Sequence, residues 1–233
     1  RDPHNLSESC DAICAYIDNP EITTDELMQY IKGPDFPTGG IVMGRSGIKE
    51  AYETGRGRVV IRSKTEIEVD DKGRETIVVT EIPYMVNKRE MIEKIAQMAE
   101  DKKIEGITYI NDESYREGIR VIIRLKQGVN SGVVLNPLFK YTPLQSSFSF
   151  NNVALVKGRP RTLSLKEIIK CFVEFRHEVV VRRTKFELDK AQKRAHILEG
   201  LLKAMDLIDE IVHLIRYESK NRDDAKEMLQ SRY

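Results

Sequence analysis

Residues Ser164–Arg216 read SLKEIIKCFVEFRHEVVVRRTKFELDKAQKRAHILEGLLKAMDLIDEIVHLIR, and this run decides the fold. It holds no proline, and no glycine before Gly200. Apolar residues return every three or four places, at Leu165, Ile168, Phe172, Phe175, Val179 and Phe186. They resume at Ile197, Leu198, Leu201, Leu202, Met205, Ile208, Val212 and Ile215. That spacing lays one stripe along a helix face. At ~1.5 Å per residue the helix reaches about 75 Å, far beyond an ordinary globular helix. Its stripe must lie against a partner or remain in water, so the remaining chain is what this rod carries. Ser164 with Glu167 three places on has capping-box spacing at its start.

The chain has 233 residues, 40% hydrophobic and 32% charged, with a formal net charge of +1. This suffices for one or two domains with a real core. Dense, balanced charge suits a soluble, cytoplasmic protein with long exposed helices. Near-neutrality does not exclude nucleic-acid binding, because basic residues can cluster locally. No apolar run approaches the ~20 residues of a membrane span, and no signal peptide is visible. Cys10, Cys14 and Cys171 make no metal pattern and cannot all pair, so they read as reduced core thiols. The start at Arg1-Asp2-Pro3, without methionine, reads as a piece of a longer protein.

Upstream of the rod, 5–31 reads as two short helices. Ser7 is the expected cap of the first, with Ile13 and Ile17 on its buried face, and Thr23 or Thr24 starts the second. Gly33-Pro34-Asp35-Phe36-Pro37-Thr38-Gly39-Gly40 is too rich in proline and glycine for regular structure. Ile41–Met43 is a short strand and Ile48–Thr54 a helical turn or two. Arg58–Val69 alternates as a strand, turns at Asp70–Gly73 and returns over Glu75–Ile82. Asn87 caps a helix over Lys88–Asp101. A second strand pair, Ile107–Asn111 and Ile119–Lys126, flanks a turn at 114–118. A further helix over Val129–Tyr141 is expected to be interrupted at Asn136-Pro137. Strand–strand–helix thus occurs twice, which gives an α+β fold, a mostly antiparallel sheet with packed helices, followed by a long coiled-coil-type α-helix. The boundaries fall at 1–40, 41–162, 163–217 and 218–233.

No convergent acid–base or nucleophilic site is visible. His4, His177, His196 and His213 are scattered, and read as solvated or packed. Gly39-Gly40 and Gly44 with Gly47 lack the lysine and hydroxyl of a phosphate loop. Gly55-Arg56-Gly57-Arg58 is more informative, since glycines let a backbone approach a phosphate while arginines supply charge. Arg62 and Lys64 continue the same strand face, and Arg45 lies just upstream. A basic loop running into a basic strand face tracks a nucleic-acid backbone without reading bases. The alternative is an ordinary solvated sheet face. The turn Lys157-Gly158-Arg159-Pro160-Arg161 has the same two readings.

Gly33 to Gly40, Gly44-Arg45-Ser46-Gly47-Ile48, Ala51-Tyr52-Glu53-Thr54-Gly55-Arg56-Gly57 and Ile61-Arg62 resemble the A subunits of bacterial type IIA topoisomerases. Further matches are Pro3-His4-Asn5-Leu6, Glu81-Ile82-Pro83-Tyr84, Asp112-Glu113-Ser114, Asn152-Val153-Ala154-Leu155, Arg182-Arg183-Thr184 and Phe186-Glu187-Leu188. Gly44–Ile48 and Ala195-His196-Ile197 look more like DNA gyrase than its close paralogue, topoisomerase IV. The resemblance covers nearly the whole chain in order. It implies the tower domain and the outgoing arm of the coiled coil, a noncatalytic part of the DNA breakage-reunion subunit that supports and bends the gate-segment duplex.

The family's nucleophilic tyrosine follows an arginine and precedes a threonine. Arg216-Tyr217-Glu218 and the closing Arg232-Tyr233 do not match that context, so no catalytic residue is expected here. The partners that the resemblance implies are double-stranded DNA, a B subunit, and a second A subunit. Mg2+ and ATP would sit on the B subunit, with no cofactor in this segment. The expected backbone contacts are Arg45, Arg56, Arg58, Arg62, Lys64, Lys157, Arg159 and Arg161, with Gln145, Ser147 and Asn151 as uncharged ones. Set apart from the resemblance, the alternative is a coiled-coil protein-interaction module.

Overall fold

The computed structural model describes residues 3–116 and 118–233. Arg1, Asp2 and Glu117, the last within the expected turn at 114–118, lie outside the described residues. The chain divides into two compact units, Arg1–Val173 and Glu174–Tyr233.

The first unit begins with α1 (Leu6–Asp18) and α2 (Thr24–Tyr30). Asn5 caps α1, its side chain accepting from the Glu8 amide at 3.1 Å, and Ser7 lies inside the helix. The buried positions are Ala12 and Tyr16, while Ile17 is 57% exposed. Cys10 and Cys14 stand two residues from that face, about 200° around the helix. They are exposed free thiols, not core residues, and Cys171 is half-buried. Thr23 caps α2 in a full capping box with Glu26.

The alternating run expected to be one strand is two. β1 (Ile41–Met43), α3 (Ser46–Thr54) and β2 (Arg56–Arg62) lead to Ser63, and β3 (Lys64–Val69) then enters a different sheet. The Ser63 amide donates to the Leu144 carbonyl at 2.8 Å, and the β3 register shifts between Lys64 and Thr65. With β4 (Glu75–Glu81), α4 (Lys88–Glu100), β5 (Ile107–Asp112), β6 (Val121–Leu125), α5 (Ser131–Tyr141) and β7 (Gln145–Asn151), two main sheets form. Their orders are β1-β2-β7 and β3-β4-β6-β5, and every pairing is antiparallel. A third sheet is the ribbon of β8 (Val153–Val156) and β9 (Arg159–Thr162).

The first sheet packs its inner face on α1, α2 and α3 through Ala12, Leu27, Ile48, Tyr52, Val59 and Ile61. The second is covered by α4 and α5, where Met91, Ile95, Val134 and Leu138 meet Ile77, Val79, Val121 and Ile123. Asn87 caps α4, as its position predicts. Pro137 does not interrupt α5. The carbonyl its missing N–H leaves unserved belongs to Val133, which is 70% exposed and open to water.

The rod, α6, runs Leu165–Asp206, 42 residues, and carries the expected capping box: the Ser164 amide donates to Glu167 at 2.8 Å, and the Glu167 amide to Ser164 at 3.2 Å. It ends ten residues before Arg216. Leu207 leaves helical geometry, and α7 (Ile208–His213) leads into a π-helical turn, Leu214–Glu218. α8 (Arg222–Arg232), capped by Asn221, follows. Leu214 and Ala225 are the buried apolar residues of this second unit. Leu214 is buried in the π-helical turn, which packs against α8. At the start of α6 Leu165 and Ile169 join the first core, and farther along the stripe is open, with Phe186, Leu202 and Met205 at 71%, 63% and 70% exposure.

Candidate nucleic-acid interface

β2 alternates. Gly57, Val59 and Ile61 turn inward, and Arg56, Arg58, Val60 and Arg62 outward. The antiparallel register sets Asn151 opposite Arg56, Ser149 opposite Arg58, Ser147 opposite Val60 and Gln145 opposite Arg62. Directly paired residues share a sheet face, so these four polar side chains join the arginines. β1 adds Ile41 beside Arg62 and Met43 beside Val60. Beneath lies an aromatic layer in which Phe148 meets Phe150 edge-on at 5.4 Å and Phe36 at 5.2 Å.

The glycines of this motif serve packing. A Cβ on Gly57 would stand 2.5 Å from the Gly47 carbonyl and 2.7 Å from the Ala51 amide, so α3 lies flush on β2. Gly55 closes α3 in the left-handed region, at φ 77°, beneath the Leu163 carbonyl. These glycines do not open the backbone to a phosphate; they hold the arginine-bearing strand against a helix. At Gly39-Gly40 the Glu81 carboxylate accepts from the Gly40 amide, filling the turn with the chain's own negative charge.

The arginines are held by neutral groups. Arg58 Nη2 donates to Ser147 Oγ at 2.9 Å. Arg62 donates from Nε and Nη2 to Gln145 Oε1 at 2.9 and 2.8 Å, and its guanidinium lies 4.4 Å over the Phe139 ring. Arg56, Arg58 and Asn151 are exposed, and Arg45 is exposed at the start of α3. Lys64 is elsewhere: on β3 in the second sheet, its ammonium lies 3.6 Å from Glu81.

The expected basic turn is a two-residue turn, Lys157-Gly158, with φ 52° and 77°. Arg159 and Arg161 stand on β9, two apart and therefore on one ribbon face. The ribbon is rooted at the start of β2, where the Asn152 amide donates to the Gly55 carbonyl at 2.9 Å. Among the described residues, ion pairs engage cations such as Lys49, Arg74 and Arg120, and none engages the arginines of this face or ribbon.

Six of the expected contacts, Arg56, Arg58, Arg62, Gln145, Ser147 and Asn151, thus share one face; Lys157, Arg159 and Arg161 share the ribbon; Arg45 borders the face; Lys64 leaves it. Sequence reasoning missed Ser149, although the alternation of Gln145, Ser147 and Asn151 marks it. It also missed Phe139, which no local pattern connects to Arg62.

The remaining chemistry is sparse. Tyr217 is 75% exposed. Tyr233 donates to Glu210 at 3.0 Å, and desolvation together with that carboxylate raises its pKa, which disfavours a phenolate. His4 Nε2 lies 2.8 Å from the Tyr52 hydroxyl. Among the described residues no group of three or more His, Cys, Asp or Glu is placed to hold a metal ion. No described helix is long and apolar enough to cross a membrane.

Residues 2–232 match the family model for the A subunits of DNA gyrase and topoisomerase IV. The chain is 54% identical over 224 residues to the DNA gyrase A subunit of Clostridium acetobutylicum, covering 96% of this chain and 27% of that protein. It is 52% identical over 227 residues to the same-named protein of Streptococcus pneumoniae, covering 97% and 28%. For that of Treponema pallidum the identity is 52% over 232 residues, covering 99% and 28%. The chain therefore spans 27–28% of the length of these curated relatives.

Proposed function

Because the chain belongs to the family of DNA gyrase and topoisomerase IV A subunits, we propose that it is the tower and outgoing arm of the breakage-reunion subunit of a type II DNA topoisomerase. It performs no strand cleavage itself. The face of β1, β2 and β7, extended by the β8–β9 ribbon, holds the backbone of the duplex to be cut. The carrying observation is that Arg56, Arg58 and Arg62 stand on one sheet face whose neighbours are neutral, so their charge is available to phosphate. Cations aimed at phosphates position a duplex without reading its sequence. Bending a duplex costs on the order of 1–6 kcal/mol, which a positive shoulder beside the cleavage site offsets.

In this reading the working partners are double-stranded DNA, a B subunit, and a second A subunit, in the cytoplasm. ATP and Mg2+ belong to the B subunit. The open stripe of α6 is the seam for a returning helix of the same polypeptide.

The test is duplex binding by the full-length protein across a salt series. Arg56→Glu with Arg58→Glu should weaken binding about tenfold or more and flatten the salt dependence, at ~0.9 of slope for each phosphate no longer neutralised. Parental affinity and slope in that variant would remove the face from the DNA path.

A further inference from the structure

Arg62 differs from the other arginines of the face in being half-buried and clamped from two directions. Gln145, its cross-strand partner, takes Nε and Nη2. Phe139, on α5 over the second sheet, lies beneath the guanidinium at 4.4 Å. The arginine therefore spans the junction between the two sheets. Both groups that hold it are uncharged. A carboxylate would hold the same edge more firmly, but would cancel the charge.

We propose that Gln145 and Phe139 are positioning residues that aim a fully charged Arg62 at a DNA phosphate. Arg62 keeps the other edge of its fork free. Two of its five N–H groups are committed to Gln145, which leaves three, including both on Nη1. A planar donor pair of that kind matches two oxygens of one phosphate. Phe139 holds the guanidinium from one side and Gln145 fixes its rotation, so little side-chain freedom remains to be given up on binding. Gln145 thus acts through Arg62 and is not itself the phosphate contact that the resemblance implied. Ser147 stands in the same relation to Arg58, with one bond in place of two.

This inference rests on the duplex-binding reading, and the test separates the two. Full-length proteins carrying Gln145→Glu, Phe139→Leu, Phe139→Tyr or Arg56→Gln are titrated with a duplex at several salt concentrations, with thermal unfolding as the check on folding. Gln145→Glu preserves shape and the tie to Arg62 but neutralises it. The expected result is binding weakened by about three- to tenfold near 0.1 M salt, with the slope flattened by about 0.9 per chain. Phe139→Leu leaves the charge intact but frees the guanidinium, so affinity should fall by about two- to fivefold with the slope unchanged, and Phe139→Tyr should restore it. If Gln145→Glu binds as the parent does while Arg56→Gln weakens binding, the clamp is structural only and the proposal is overturned with the duplex reading intact. If Arg56→Gln is also without effect, both fall.

Discussion

The molecule's two main antiparallel sheets are built alike on the inside and differently on the outside. Each covers one face with helices and buries isoleucine and valine there: Val59 and Ile61 in the first, Ile77, Val79 and Ile123 in the second. On the outer face of the first, the cross-strand neighbours of the arginines are Gln145, Ser149 and Asn151. On the second, the face turned from α4 and α5 carries Glu66 and Glu68 on β3, and Arg124 opposite Tyr109. Nearby Arg120 is tied to Glu68 at 3.0 Å and to Glu113 at 3.6 Å. Both faces have arginines: those of the first, and Arg124 of the second between Thr76 and Tyr109, stand across from neutral residues, whereas Arg120 beside Glu68 and Glu113 is neutralised. Availability to an outside anion is decided by who stands across the strand, not by how many arginines a strand holds.

The largest expected effect tests the shared half of that comparison. Ile61 and Ile123 are 1% and 0% exposed, so Ile61→Ala and Ile123→Ala should each cost about 2–5 kcal/mol in denaturant unfolding. A loss confined to one sheet would show that the two cores are not equivalent supports.

A smaller effect separates the outer faces. Ser149→Glu places a carboxylate opposite Arg58 and gives the first face the character of the second. Duplex binding should weaken by about threefold near 0.1 M salt, with stability changed by no more than about 1 kcal/mol. Arg120→Gln, which removes a charge already paired, should leave the salt dependence of binding as it is.

The smallest effect is in acid. In the second sheet, hydrogen bonds from the Ser131 hydroxyl and amide lower the Glu75 pKa, and those from the Arg74 backbone chiefly lower that of Asp70. Carboxyls depressed in the folded state stabilise above their unfolded values, about 4 to 4.5. That contribution fades as pH falls through the lower folded values. Amide exchange between pH 6 and 3 should therefore rise sooner at the β3–β4 hairpin and the start of α5 than along β2 and β7. Glu75→Gln should remove that acid dependence at α5. Equal acceleration in both sheets would contradict the contrast.

Features that depend on a few consecutive residues were legible in the sequence. The capping box at Ser164 and the cap at Asn87 stand where they were expected, and of Thr23 and Thr24 it is Thr23 that caps α2, because a helix end needs an oxygen within three residues of its free amides. The same local rule pointed to Ser7 for α1, where the cap is Asn5, two residues earlier, with Ser7 inside the helix. The alternation of β2 was visible, but its division at Ser63 was not, since the Leu144 carbonyl that ends it comes from a distant part of the chain. The end of α6 at Asp206 carries no proline or glycine, so no local signal marks it. The candidate contacts chosen by charge divide: Arg56, Arg58 and Arg62 share the face of β2, Arg45 borders it, and Lys157, Arg159 and Arg161 stand on the ribbon. Lys64 leaves the face, because the strand it was assigned to ends before it.

By itself, then, the sequence determined the elements: their periods, most of their caps, the long helix with one apolar stripe, and a set of arginines at strand spacing. These are properties of a chain within one or two helical turns or one pleat, where backbone geometry leaves few choices. Only the tertiary structure decided which sheet each strand joined and which neutral groups hold the arginines, so that Phe139 and Gln145 meet at Arg62. That meeting joins residues more than seventy positions apart, and burial and register across two sheets bring it about, neither of which any local pattern records.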